Sequence, residues 1–377
     1  MRKNILIMCH HHATQFIDVC NQYVKLFDPK KYFVTVLYLT GAPDETVRER
    51  TLSEEVIFLN QSARSVRGLK LTALWKLYRL CRARQFDVVI CHRYKPIYLF
   101  LWLGQIFRFK ALFFVMHDLG TLKPIMRRLL IKLLLRKNMF FAGVSNSVRD
   151  DMRKSLGKNV PYSQVITLYN CIDVPTAKQS LIDKKSARAF FHLSDDAFVF
   201  GTLGRFVPAK DQMTMIRAFV AIKEQCPRAV LLLIGSGKLE ETLKKAANEY
   251  QLTDRILFPG YVSEAYRYAH AFDVFMLTSV REAFGRVLPE VMIAKVPVIG
   301  TRTDGIPEVV DDAGILISPR DDRSLANAMC DLYQMNSEER LLLGEKGSQH
   351  IEKNFSLDKF VHDFWQLPVM KGLNDEA

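Results

Sequence analysis

Two glutamates, Glu282 and Glu290, stand eight positions apart in REAFGRVLPEV, and two cations, Arg205 and Lys210, stand five apart in FVFGTLGRFVPAKD. Each segment follows or contains a strand-like run, DVFMLT before the first and AFVFGTLG in the second. Both therefore fall at strand C-terminal ends, where open α/β sheets collect their ligand loops. The stretch EVMIAK reads as a helix beginning at Glu290, which sets Phe284, Gly285 and Arg286 where a helix N-terminus exposes unpaired N–H groups, an anion site. Gly201 and Gly204 follow the other strand at once, and Arg205 and Lys210 beyond them could grip a diphosphate. Taken singly, each of these charges reads as a solvated surface residue. Together they supply carboxylates for sugar and ribose hydroxyls and cations for phosphates, the inventory a nucleotide sugar requires.

The segments GRFVPAKD, LLLIGSGKLEETL, REAFGRVLPEVMIAKVPVIGT and GIPEVVDDAGILI resemble, in order, successive blocks of the retaining glycosyltransferases of family four. DVVICH, the His117-Asp118 pair after ALFFVM, GVSNSVRDDM and LYNCIDV extend a weaker resemblance through the N-terminal half. The resemblance implies the GT-B fold, two Rossmann-like doubly wound α/β domains facing across a cleft, and metal-independent hexosyl transfer with retention. It implies that Glu290 binds ribose hydroxyls and that Glu282 lies beside the donor sugar. Gly204, Arg205, Lys210, Phe284, Gly285, Arg286 and Val287 then complete the donor site. His117 contacts the transferred sugar and joins Glu282, Arg205 and Lys210 as a catalytic candidate. The sequence departs from many relatives in its first loop: strand ILIM runs into Cys9, His10, His11 and His12 where they carry glycines. That loop commonly helps to bind acceptor, so the three histidines are acceptor-side candidates.

Short apolar, β-branched runs alternate with amphipathic stretches: ILIM, YFVTVLYL, VIFL, DVVIC, ALFFVM, MFFAGV and VITLY. After a polar interruption the rhythm restarts with AFVFGTLG, AVLLLIG, RILFPG, DVFMLT and VPVIGT. This is the pattern of parallel sheets with covering helices. We expect an acceptor-side domain over 1–173, a linker over 174–194, a nucleotide-sugar domain over 195–354, and a C-terminal helix and tail over 355–377 that crosses back to the first domain.

The chain has 377 residues, 49% of them hydrophobic, enough for two cores and not a disordered composition. The run between Lys3 and the histidines is too short for a signal-peptide core. Seven cysteines, scattered singly, suit a reducing compartment better than a disulfide framework. A cytoplasmic location is therefore expected. PIYLFLWLGQIF falls short of the roughly 20 residues that span a bilayer and reads as a buried helix. The net charge of +13 calls for a polyanionic partner. Lys123, Arg127, Arg128, Lys132, Arg136 and Lys137 recur at helical spacing among leucines and isoleucines. That is the composition of an interfacial helix on anionic lipid and equally of a domain helix with one solvated basic face.

Other chemistries fit less well. His10, His11 and His12 are consecutive, so their side chains diverge and do not converge readily on one tetrahedral ion. No D-x-D metal clamp occurs, and no metal or cofactor beyond the substrate is expected. GSGK at Gly235 to Lys238 has Glu240 where a dinucleotide fingerprint needs its third glycine. Aromatic RNA motifs and a basic recognition helix are missing, which argues against nucleic acid. Arg93 and Lys95 after DVVICH suit an anionic acceptor or plain solvation. The expected function is hexosyl transfer from a nucleotide diphosphate sugar, UDP-linked for preference, to a glycolipid or surface glycan such as lipopolysaccharide core. It would operate at the inner, anionic face of the cytoplasmic membrane. The alternatives are a nucleotide-sugar epimerase of the same fold class, which would need no acceptor, and a non-enzymatic basic protein that binds membrane.

Overall fold

The computed structural model describes residues 2–62 and 64–375, and in it the alternating pattern resolves into two parallel sheets. The first contains β1 (Lys3–His11), β2 (Tyr32–Thr40), β3 (Glu55–Gln61), β4 (Val88–His92), β5 (Ala111–Met116), β6 (Met139–Gly143) and β7 (Val165–Thr167), in the order β3-β2-β1-β4-β5-β6-β7. The second contains β8 (Phe198–Leu203), β9 (Ala229–Ile234), β10 (Ile256–Gly260), β11 (Val274–Leu277), β12 (Val298–Thr301) and β13 (Ile315–Ile317), in the order β10-β9-β8-β11-β12-β13. Helices connect the strands, as parallel pairing requires. Strands such as β4, β5 and β11 are buried at every residue, which is why they read as unbroken apolar runs and not as alternating ones.

Strand order reverses between β1 and β4 in the first sheet and between β8 and β11 in the second. Ile5 pairs with Val88 and Met8 with Cys91, so His10, His11 and His92 emerge on the same C-terminal edge. In the second sheet Phe275 pairs with Gly201, which brings the loops after Leu203 and after Leu277 side by side. Adjacent strands whose connections leave in opposite directions open a crevice at that edge.

The chain divides into two compact units, residues 1–170 with 358–377, and residues 171–357. Residues 174–194, expected as linker, form helices Val174–Ser180 and Lys184–Phe190 inside the second unit. Asp173 and Asp183 cap these helices. The guanidinium of Arg188, buried, is held by Asp273 at 2.6 Å and by the Asp195 carbonyl. The polarity of the segment thus comes from caps and a buried ion pair and not from a solvated connection. The tail forms two helices, Leu357–Gln366 and Pro368–Asp375. Phe360 packs on Tyr23, Phe364 on Phe27 and Phe113, and the Trp365 indole donates to the Leu26 carbonyl at 2.9 Å.

Helix Tyr94–Ile106 is largely buried, and among the described residues no helix is long and apolar enough to cross a membrane. The sulfurs of Cys9 and Cys20 meet, where the scattered single cysteines had argued against a disulfide framework; the helix after β1 packs back on the end of that strand and brings them together. Cys81, Cys91, Cys171, Cys226 and Cys330 are free, and burial pushes the Cys81 thiol up to about 12.

Candidate active site

In the second unit, three loops at one sheet edge are wired together through their backbones. Val280 N–H donates to the Ala209 carbonyl at 2.9 Å, and the Thr278 hydroxyl donates to the carbonyls of Lys210 and Asp211. Gly305 N–H donates to the Glu282 carbonyl at 2.9 Å, and Glu282 N–H in turn donates to Asp304. The loops after β8, β11 and β12 therefore hold one another, and with them the side chains of Lys210 and Glu282. These two form an ion pair, each only 17–18% exposed, and the Ser279 hydroxyl donates to the same Glu282 oxygen at 3.2 Å. Arg205, from the same loop as Lys210, is exposed.

Close approach explains the GSGK turn. A Cβ on Gly235 would lie 1.9 Å from the Gly204 carbonyl oxygen, and Phe206 N–H donates to the Ser236 carbonyl at 2.8 Å. The glycines let the turn support the Gly204–Arg205 loop directly. Gly285 takes φ +81°, a conformation a side chain would strain, and its carbonyl accepts from Leu288 N–H at 2.8 Å. That turn starts the helix at Val287, three residues before the expected Glu290. Glu290 thus lies in the first turn, half-buried, with Phe284 buried and Arg286 in the capping position. Tyr266, which no motif singled out, is close enough to feel Glu290: burial raises its phenol pKa, Glu264 and Glu290 raise it further, and a hydrogen bond from Ser180 opposes them.

In the first unit, His117 stands just past β5 and its Nε2 lies 3.0 Å from Nδ1 of His92. His92 is fully buried, and burial, then His117, holds its pKa well below the usual imidazole value, so the ring is neutral with one proton. Its Nε2 has no hydrogen-bond partner among the described residues. An orphaned buried N–H costs more than an orphaned lone pair. That comparison favours the proton on Nδ1 of His92, where it can be donated to His117 Nε2. Asp118, beside it, is exposed.

The three consecutive histidines diverge. His11 packs edge-on against Phe16, His12 sits between Tyr38 and Phe58, and a Cβ on Gly41 would meet the His12 ring at 2.1 Å. His12 is thus packed in the fold, while His10 and His11 lie at the strand end. Burial, followed by Lys95, His11 and Arg93, lowers the His10 pKa to about 4.

The sequence and the fold just described have counterparts in known proteins. Residues 183–350 match the family described as glycosyl transferases group 1, and residues 19–175 match glycosyltransferase family 4. The chain belongs to glycosyltransferase family 4 and has the GT-B fold. It is similar to an N-acetyl-alpha-D-glucosaminyl L-malate synthase of Bacillus anthracis, 28% identical over 206 residues, 54% of this chain and 53% of the relative. A lipopolysaccharide core biosynthesis glycosyltransferase of Rhizobium meliloti is 33% identical over 180 residues, 47% of this chain and 50% of the relative. The chain spans about half the length of these curated relatives in the matched regions. Among solved structures, the Anabaena protein HepE in complex with UDP-glucose shares the fold with a TM-score of 0.76 at 18% identity, over 99% of both chains.

Proposed function

We propose that this chain is a retaining hexosyltransferase that takes its sugar from a nucleotide diphosphate donor, UDP-linked for preference, and passes it to a glycolipid or surface glycan. The observation that carries the reading is the Lys210–Glu282 pair, fixed by hydrogen bonds among three loops beside the helix that bears Glu290. Family membership supports the reaction, and the UDP-glucose bound by the HepE structure supports the donor class. The bond from the sugar's anomeric carbon to the β-phosphate oxygen breaks, and a bond to the acceptor oxygen forms on the same face. The acceptor proton goes to the leaving phosphate oxygen. Arg205 and Lys210 neutralise the charge that develops there, Glu282 orients the sugar, Glu290 receives ribose hydroxyls, and His117 contacts the transferred sugar.

Lipopolysaccharide core as acceptor is supported by the Rhizobium relative. Peripheral attachment to an anionic membrane is supported by helix Ile125–Leu134, on which Ile125, Met126, Leu129 and Leu133 are all more than half exposed, with Lys132 exposed among them. Residues 56–149 contain 18 Lys and Arg against two Asp and Glu, a net +16 that exceeds the +13 of the whole chain. The charge is thus local to one stretch of the first unit, as attraction to an anionic surface requires. Thermal melting with UDP-, GDP-, ADP- and dTDP-sugars tests the transferase reading: one donor raises the melting temperature clearly, and no response to any of them refutes it.

A further inference from the structure

Within this basic stretch, several cations from separate elements meet beyond the C-terminal edge of β1 and β4. Arg67 and Lys70 come from the segment after β3, Arg93 and Lys95 from the entry to helix Tyr94–Ile106, and Arg127 from helix Ile125–Leu134. Lys70 Nζ lies 3.8 Å from the centre of the Tyr98 ring, and the Arg127 guanidinium 4.2 Å from that of Tyr94. Tyr94 and Tyr98 are four apart on one helix, so they stack on one face and set the two cations one turn apart. Lys70 also donates to the Gly68 carbonyl and Arg127 to the Thr121 carbonyl, both at 2.7 Å. Among the described residues, none of Arg67, Lys70, Lys95 and Arg127 pairs with a carboxylate. Lys70 and Arg127 are anchored by rings and carbonyls, which hold a cation in place without neutralising it.

The cations also feel each other. Besides burial, Lys95 and Arg127 lower the pKa of Lys70, Arg67 lowers that of Lys95, and Lys95 and Arg93 lower those of His10 and His11. The backbone adds a second sign of constraint. Arg93 takes φ +72° and ψ 161°, a region essentially reserved for glycine that costs about 1–3 kcal/mol and persists where the surroundings impose it. Lys70 too is left-handed, at φ +53°. A fold that concentrates repelling cations on strained backbone, with His10 Nε2 buried and unpartnered beside them, gains when a multivalent anion neutralises them.

We infer that Lys70, Lys95 and Arg127, with Arg67, Arg93 and His10 around them, form a second anion site that receives a phosphoryl or diphosphoryl group, separate from the cations that hold the donor. Naming the bearer of that group as the acceptor rests on the transferase reading; the anion site itself does not. Inorganic pyrophosphate titrated by calorimetry into the whole chain tests it. The parent takes up pyrophosphate at two kinds of site, Arg205→Gln/Lys210→Gln loses one, and Lys70→Gln/Lys95→Gln/Arg127→Gln weakens the other at least tenfold. Lys95→Arg, which keeps the charge, binds as the parent does, whereas Lys95→Gln alone is measurably weaker; this comparison stands even if the triple variant melts early. Should the triple variant and Lys95→Gln both bind pyrophosphate like the parent, the inference fails. Deficient first-unit variants beside an unaltered Arg205/Lys210 variant would support the second site and refute the donor assignment instead. Phosphatidylcholine vesicles carrying phosphatidic acid separate two sources of the group: competition with pyrophosphate in the parent identifies a lipid headgroup, and its absence a soluble phosphorylated acceptor.

Discussion

Glu282→Gln should strengthen the binding of free UDP while it weakens the discrimination in favour of UDP-glucose. Glu282 and Lys210 are paired and mostly shielded from water, so the carboxylate both restrains the ammonium and repels any phosphate that shares it. A phosphoryl oxygen on the far side of Lys210 would sit roughly 6 Å from the carboxylate, where one unit of charge at an effective dielectric constant of about 20 is worth about 3 kcal/mol. Residual exposure of the pair reduces that toward about 1 kcal/mol. Removing the charge should therefore tighten UDP binding by about 5- to 100-fold. Sugar hydroxyls lose a charged acceptor at the same time, worth about 1.5–3 kcal/mol, so the advantage of UDP-glucose over UDP should shrink or reverse. Folding stability should fall by about 1–3 kcal/mol, because a half-buried ammonium loses its partner. Calorimetric titration of both ligands into parent, Glu282→Gln and Lys210→Gln gives the comparison. Lys210→Gln should weaken both ligands. If Glu282→Gln also weakens UDP, and as much as Lys210→Gln does, the carboxylate is not facing the diphosphate and the roles assigned to the pair are wrong.

Glu290→Gln should reduce UDP affinity by about 1.5–3 kcal/mol, through weaker ribose hydrogen bonds, with an unchanged circular dichroism spectrum; unaltered affinity removes Glu290 from the site. Replacing Arg128, Lys132 and Arg136 by Gln should release the chain from anionic vesicles, since each basic residue near such a surface contributes about 1 kcal/mol, while UDP-glucose binding stays intact; sedimentation at rising salt is the measurement, and parental binding by the triple variant places attachment elsewhere. His10 has a folded pKa of about 4 against 6.5 when unfolded, so on acidification the unfolded chain takes up the proton first. Stability should fall as pH drops from about 6.5 to about 4, and denaturant titrations should show a flatter profile in His10→Gln.

The fold was legible because its cores are parallel sheets. Strands such as Val88–His92 and Ala111–Met116, buried on both faces, cannot alternate, and their unbroken runs of apolar residues announce them. What lay at the ends of those strands was legible as residue type and position but not as pairing. Lys210 and Glu282 are 72 positions apart, and what joins them is backbone hydrogen bonding between loops whose length and polarity look ordinary. The start of the helix at Val287 was missed because it is set by the left-handed Gly285 turn and not by a capping side chain. Residues 174–194 looked like linker because capping aspartates and a buried arginine mimic the composition of a solvated one. Tyr266 and the Lys70–Tyr98 contact carry no motif: each depends on which face of a neighbouring element is turned toward it.

Lys210 in the second unit and the Lys70–Arg127 cluster in the first are handled differently, and that difference bears on how each would treat a ligand. In the second unit Lys210, at the C-terminal sheet edge, is compensated from within by Glu282. A ligand that draws on Lys210 must offer enough to offset part of an existing ion pair, which a lone phosphate does poorly and a diphosphate with a hydroxyl-bearing sugar does well. Selectivity is therefore inherent in the pairing. In the first unit Lys70 and Arg127 rest on rings and carbonyls that leave their charge intact. Such cations attract any multivalent anion over a distance limited by salt to about 8 Å at physiological ionic strength, and they speed encounter more than they select. Specificity for one such anion over another then has to come from other groups near the same edge, such as Tyr94 and His11, and not from the cations themselves.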